Sequence, residues 1–272
     1  MRGKIRFLTI VFVFMSFILN QKYAHAFTSI SHWDSDTEAG WRCIDRDVNG
    51  HKIDSATDTP DQSNALKQIY TKGLPNGGEP AMCWYMFPNQ AVEIYVQYYV
   101  KYSSNYYFHS VDNKQTYYFI GPSNSNFYIS TSGSRHISMV TQTYATDRHN
   151  SNTGYDPVIE PGRWYKISAR FVMNSPGVKN GIAQIWLDDK LVINKNTIGY
   201  RSSAESGQGF REMQITPVFG GMAPMTKPAE DYQWYDHTIV STERMGGFPI
   251  LPVPIPSDNK ITPNPPENLK VD

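Results

Sequence analysis

Between Val92 and Tyr102 the chain reads VEIYVQYYVKY, and this alternation sorts the residues onto two faces of a strand. Ile94, Val96, Tyr98 and Val100 form the more apolar face. Glu93, Tyr95, Gln97, Tyr99 and Lys101 form the other, which mixes flat rings with hydrogen-bonding tips. Sugar recognition needs both, rings for CH faces and fixed polar partners for hydroxyls. Three further segments offer compatible faces: His136, Ser138, Gln142 and Tyr144; Lys166, Ser168 and Arg170; and Gln184 and Trp186. Gathered on one sheet, these residues could run a proton-coupled elimination. Tyr99 or Tyr118, with His136, would move protons. Gln97 or Gln184, with Arg170 or Lys166, would stabilise charge building on a carboxylate. The catalytic candidates are therefore Tyr99, His136, Gln97 and Arg170. The substrate-binding candidates are Tyr95, Lys101, Tyr118, Lys166, Gln184 and Trp186. Each has a plain alternative, since a tyrosine-rich sheet always carries such tips, and Trp186 fits a core position equally well.

Asp45-x-Asp47-x-Asn49-Gly50 matches the first half of a calcium loop. Ala56 stands where the twelfth-position Glu would be, so an Asx-rich turn competes with this reading. A structural calcium ion held by Asp45, Asp47 and Asn49 is the one cofactor the sequence raises. Cys43 and Cys83 are the only cysteines. With no other cysteine and no histidine pair at ligand spacing, zinc is not expected. A paired count in an exported chain predicts a Cys43–Cys83 disulfide.

Strands must bring these residues together. Helical periodicity is nearly absent. Alternating segments at 65–70, 92–102, 115–120, 127–130, 136–144, 164–173, 182–187, 191–194, 213–219 and 233–241 are each bounded by Gly, Pro, Asn or Asp. This pattern predicts an all-β protein, a two-sheet antiparallel β-sandwich of jelly-roll type. Residues 1–26 combine a basic start, an apolar run and Ala24-His25-Ala26, the arrangement of a cleaved signal peptide. Residues 27–247 form the jelly-roll domain, and 248–272 a Pro-rich extended tail or linker, because proline lacks the N–H a ladder needs. The expected product is secreted, periplasmic or extracellular, without a membrane span, and monomeric. Removing 1–26 leaves 21 basic against 25 acidic residues, which argues against a nucleic-acid partner. At 14% aromatic and 18% charged residues, the body does not have the composition of a disordered chain.

The series Gly162-Arg163-Trp164, Asn174, Asn180-Gly181, Trp186-Leu187-Asp188, Phe219-Gly220-Gly221 and Tyr235-Asp236 resembles the concanavalin A-like lectin/glucanase jelly roll, in its polysaccharide-lyase-like branch. The resemblance spans roughly 92–241 and rests mainly on structural positions. It implies a carbohydrate-active protein that engages a polysaccharide on the concave face, either as a β-eliminating lyase or as a non-catalytic carbohydrate-binding or surface module. The R-x-E-L-R and Q-I-H strands of alginate lyases with this fold are absent. So is the strand of paired carboxylates that its glycosidases use, which disfavours glycoside hydrolysis.

Overall fold

A computed structural model describes residues 26–249, except 56–57, 124, 143–145 and 152–155. Of the expected signal peptide (1–26) residues 1–25, and of the expected tail (248–272) residues 250–272, lie outside the described residues. The strands are β1 (Thr28–Ser31), β2 (Arg42–Asp45), β3 (His51–Asp54), β4 (Ala65–Tyr70), β5 (Ala81–Ala91), β6 (Glu93–Tyr102), β7 (Asp112–Ile120), β8 (Ser125–Ser132), β9 (Ile137–Gln142), β10 (Asp147–Asn150), β11 (Trp164–Val172), β12 (Gly181–Leu187), β13 (Lys190–Ile198), β14 (Phe210–Ile215) and β15 (Asp231–Ser241). They form two antiparallel sheets. The first runs β13-β12-β11-β6-β15-β4-β3, with β1 also paired to β15; the second runs β10-β9-β8-β7-β14-β5-β2.

The core lies between the sheets. Ile94, Val96, Tyr98 and Val100 of β6 are fully buried there. Tyr118, Phe127 and Phe171 bring rings from both sheets within 4.7–5.0 Å of one another, an aromatic packing that adds to the area each ring buries. The phenols sent into this core find partners, as buried hydroxyls must. Tyr98 donates to Gln115 Oε1 at 2.7 Å, and the Gln115 amide donates to Thr131 Oγ1 at 2.8 Å. At one end, Lys227 and Asp231 form a fully buried pair at 2.8 Å. The Lys227 ammonium also lies 3.6 Å from the Tyr106 ring centroid and 4.3 Å from that of Tyr70.

Three local devices shape the first sheet. Asp188 and Asp189 turn β12 into β13 with φ of 47° and 65°, the left-handed pair a two-residue hairpin turn requires. The chain crosses from one sheet to the other between β5 and β6, at Val92. Along β15, residues 231–235 pair with β4, and 238–241 pair with β1. β1 and β4 thus share one flank of β15, end to end. Opposite their junction β15 carries a bulge: Tyr99 of β6 pairs with Asp236, but Gln97 pairs with Ile239. His237, inside the bulge, has a φ of 42°.

The Cys43–Cys83 disulfide is present, joining directly opposed residues of β2 and β5.

Candidate functional site

The half-buried side chains of β6 point away from the core onto the open face of the first sheet: Glu93, Tyr95, Gln97, Tyr99 and Lys101. Ladder partners project to the same side, so neighbouring strands extend each position into a row. Lys101 is flanked by Trp164 and Trp234. Tyr99 is flanked by Lys166 and Asp236. Gln97 lies beside Ser168, and Tyr95 beside Arg170, which in turn faces Gln184.

The cations of this face are engaged. Arg170 Nε donates to Glu93 Oε1 at 2.7 Å, and Nη1 donates to Gln184 Oε1 at 3.1 Å. Burial opposes the Arg170 charge, but the bond and charge of Glu93 outweigh it and raise its pKa. Tyr95 donates to the same Glu93 oxygen at 2.6 Å. Burial and that carboxylate lift the Tyr95 phenol above its ordinary range, which keeps it protonated. Lys166 Nζ meets Asp189 at 2.7 Å, and Lys101 Nζ meets Asp58 at 2.5 Å. Lys101 also lies over Trp234 and Trp164, at 5.3 and 5.6 Å. Lys67 sits 3.6 Å from the Tyr232 ring centroid. This end of the face is a platform of aromatic rings and ammonium groups.

At the other end, Tyr95, Arg170, Gln184 and Trp186 meet Arg244, Phe248 and Pro249 around a pocket of about 170 Å³. Trp186 shares the open face with Gln184, yet it is only 2% exposed. Phe248 covers it, with its ring edge-on to Trp186 at 5.4 Å and to Tyr95 at 5.2 Å.

Beside Tyr99, at the β15 bulge, lies a second cluster. His32 Nδ1 is 2.7 Å from Asp61 Oδ2. His237 Nδ1 is 3.2 Å from the same oxygen and 3.3 Å from His32 Nδ1. The Ser63 hydroxyl and amide donate to Asp61 Oδ1 at 2.5 and 3.0 Å. Burial works against the Asp61 charge, but the bonds from Ser63, His32 and His237 hold its carboxyl well below the usual range. The Asp61 bond raises His32 above an ordinary imidazole. Burial, then the nearby Asp61, pushes Asp236 up to about 7. The Tyr99 and His237 ring centroids are 6.4 Å apart.

The fold thus brings Tyr99, Gln97, Arg170, Tyr95, Lys101, Lys166, Gln184 and Trp186 onto one face. It separates two of the expected residues from them. Tyr118 is fully buried between the sheets, stacked on Phe127, because its strand turns even-numbered side chains inward there, so it cannot meet a polymer on the open face. His136 is 6% exposed in the turn leading into β9, in the second sheet, and the thickness of the sandwich divides it from Tyr99. Asp45, Asp47 and Asn49, the residues of the calcium reading, have partners within the protein. Asp45 Oδ1 accepts from the His51 amide at 3.0 Å, and the Asp47 oxygens accept from the Val48 amide and the Thr71 hydroxyl. Asn49 turns the chain at a φ of 53°. These residues build the β2–β3 turn. Among the described residues, the His/Cys/Asp/Glu group whose ligand atoms do converge is His32, Asp61 and His237. Sequence reading missed this group because its members lie 29 and 176 positions apart. It also missed Trp234 and Tyr232, which the alternation of β15 could have placed beside Lys101.

Residues 113–238 match the family model of polysaccharide lyase 14. No curated protein matches the sequence. Among solved structures, the endo-β-1,4-glucuronan lyase of the fungus Trichoderma reesei superposes with a TM-score of 0.61 at 12% identity, covering 80% of this chain and 95% of that one. The marine PL-14 alginate lyase of Aplysia kurodai gives 0.58 at 13%, over 79% and 97%. A variant of alginate lyase Aly36B in complex with alginate trisaccharide gives 0.55 at 16%, over 80% and 93%. At these identities the likeness establishes the fold, the polysaccharide-lyase-like jelly roll. The family match falls within the same jelly-roll body and covers a little under half of the chain.

Proposed function

We propose that the protein cleaves a uronate-containing polysaccharide by β-elimination on the open face of the first sheet. The observation that carries this reading is the row through Tyr99: a phenol on the central strand with Lys166 beside it, Gln97 two residues along the same face, and Arg170 one step further. Elimination breaks the C5–H and C4–O4 bonds of a uronate and forms a C4=C5 double bond. Charge builds on the C5 carboxylate as the proton leaves. The Gln97 amide and the Lys166 and Arg170 cations are placed to stabilise it. Tyr99 takes the C5 proton and returns one to O4, the leaving oxygen. The Trp164, Lys101 and Trp234 platform then grips sugars further along the chain.

One observation favours a second reading, a carbohydrate-binding module without turnover. Lys101, Lys166 and Arg170 each already hold a carboxylate, of Asp58, Asp189 and Glu93. A polyuronate must displace those partners, whereas a neutral glycan need not.

Incubation with a panel of polysaccharides, followed by absorbance near ~235 nm, separates the two readings, because elimination creates an unsaturated uronate. For an eliminase, Tyr99→Phe should lower turnover at least about 100-fold, the scale of lost acid–base catalysis, while glycan affinity holds. Glycan binding with no absorbance change on any uronate polymer would leave the binding module.

A further inference from the structure

We propose that His32, Asp61 and His237 form a binding site for one divalent transition-metal ion of the zinc class. Three potential ligand atoms, His32 Nδ1, His237 Nδ1 and Asp61 Oδ2, face one another at 2.7, 3.2 and 3.3 Å. Ligands on a tetrahedral ion at roughly 2.0–2.1 Å stand about 3.3 Å apart, so the two longer separations already match a coordination edge. Protons serve this arrangement poorly. For Asp61 Oδ2 to accept from both rings, both Nδ1 atoms must carry hydrogen, and those hydrogens then oppose each other across 3.3 Å. With lone pairs instead, all three atoms call for one shared cation.

A second, independent observation points the same way. Asp236 adjoins His237, is fully buried, and its Oδ2 makes no hydrogen bond. Its Oδ1 accepts from the His237 amide at 2.6 Å and from Ser63 at 3.3 Å. Two carboxylates, Asp61 and Asp236, are therefore held close together, beside Ser63 and the two histidines. A cation held among them would relieve the repulsion between the two carboxylates.

The surroundings are built as an outer shell is built. Ser63 grips Asp61 Oδ1 through both hydroxyl and amide and so aims Oδ2 at the rings, the kind of support that conserves ligand orientation at metal sites. His237 stands in the β15 bulge at a left-handed φ, and bulges re-aim side chains at functional sites. His32 follows β1 directly, and Asp61 precedes β4, so the ion would pin together the two strands that abut along β15. Two imidazoles and one carboxylate suit zinc, nickel or copper better than calcium or magnesium, which take oxygen ligands. His32 is 42% exposed, leaving a way in and room for a fourth ligand. None of the three residues has a role in the elimination proposed above, so either proposal can fail without the other.

The test uses the full chain, stripped with a chelator and titrated with ZnCl₂ by calorimetry, alongside elemental analysis of the protein as purified. One ion per chain is expected, with a rise in melting temperature that grows with zinc concentration. His32→Gln and His237→Ala should each weaken zinc binding at least ~100-fold, and Ser63→Ala about 10-fold, within the range for loss of an outer-shell partner. His32→Gln lies at an exposed position, and its metal-free melt should equal that of the chelated wild type, which shows that the fold is kept. Zinc binding absent from wild type overturns the proposal. So does zinc binding that His32→Gln and His237→Ala leave unchanged, or a site that takes calcium in preference to zinc.

Discussion

Trp186 points out of the sandwich and is still hidden, because the Phe248 ring sits edge-on against it and against Tyr95. Alternation within 182–187 put Trp186 on the same face as Gln184, and the structure agrees. The cover could not be read, since nothing in the local pattern of residue 248 says which part of the sheet it will reach. Phe248→Ala should expose the indole to water. Tryptophan emission should shift to the red, and glycan affinity should rise about 2–10-fold if sugars stack there, the equivalent of the ~0.5–1.5 kcal/mol aromatic contact being removed. A glycan affinity that falls instead means Phe248 is itself part of the sugar platform. The same limit applies to the histidine cluster. Local patterns reveal which residues share a strand face, as for Tyr95, Gln97 and Tyr99. They are silent about residues such as His32 and His237, which meet only because β1 closes onto β15.

At the scale of elements, the best-read strands are those with clean alternation between turn residues. β4 spans Ala65–Tyr70 and β6 spans Glu93–Tyr102, within a residue of the pattern in the sequence. β5 was not legible. Pro88 and Asn89 look like a boundary, yet they lie inside the strand, in the stretch between Met86 and Ala91 where the ladder to β14 is irregular. Proline is tolerated there because no regular N–H bond is lost. β1, β2, β3 and β10 are only four residues each, too short to show a period. The second of these depends on a covalent tie. The disulfide closes a loop across 40 positions, for which chain entropy gives about 4 kcal/mol. The double variant Cys43→Ser/Cys83→Ser should lose stability of that order in urea denaturation, and the untreated wild type should show no alkylatable thiol by mass spectrometry. A loss under about 1 kcal/mol would mean the reduced unfolded chain is already compact.

At the scale of the whole molecule, stability is coupled to charge inside the sandwich. Burial lowers the pKa of Lys227 and raises that of Asp231, each opposing its own charge. The pair survives as ions because each supplies the other's counter-charge at 2.8 Å and the Tyr107 carbonyl accepts from the ammonium at 2.9 Å. Lys227→Met alone should cost about 3–5 kcal/mol, since it strands Asp231. The double change Lys227→Met/Asp231→Leu should recover most of that loss, because it removes both desolvation costs at once. Equal losses for the single and double variants would show that packing against Tyr70 and Tyr106, not charge, is what the site contributes.

The pairing of β1 with β15 also decides how the fold responds to tension. Thr28 lies opposite Ser241, and the Phe27 amide donates to the Thr242 hydroxyl at 3.0 Å. The chain therefore enters the body beside the end of β15, before 244–249 run on to cover Trp186. A pull on the two flanking segments acts across the ladder, not along it. Each hydrogen bond carries the load in turn, and each is worth only ~1 kcal/mol net. Under such a pull the Phe248 contact should lift first, and the molecule should then open like a zip, with β1 peeling away at low force well before the rest of the sandwich gives way.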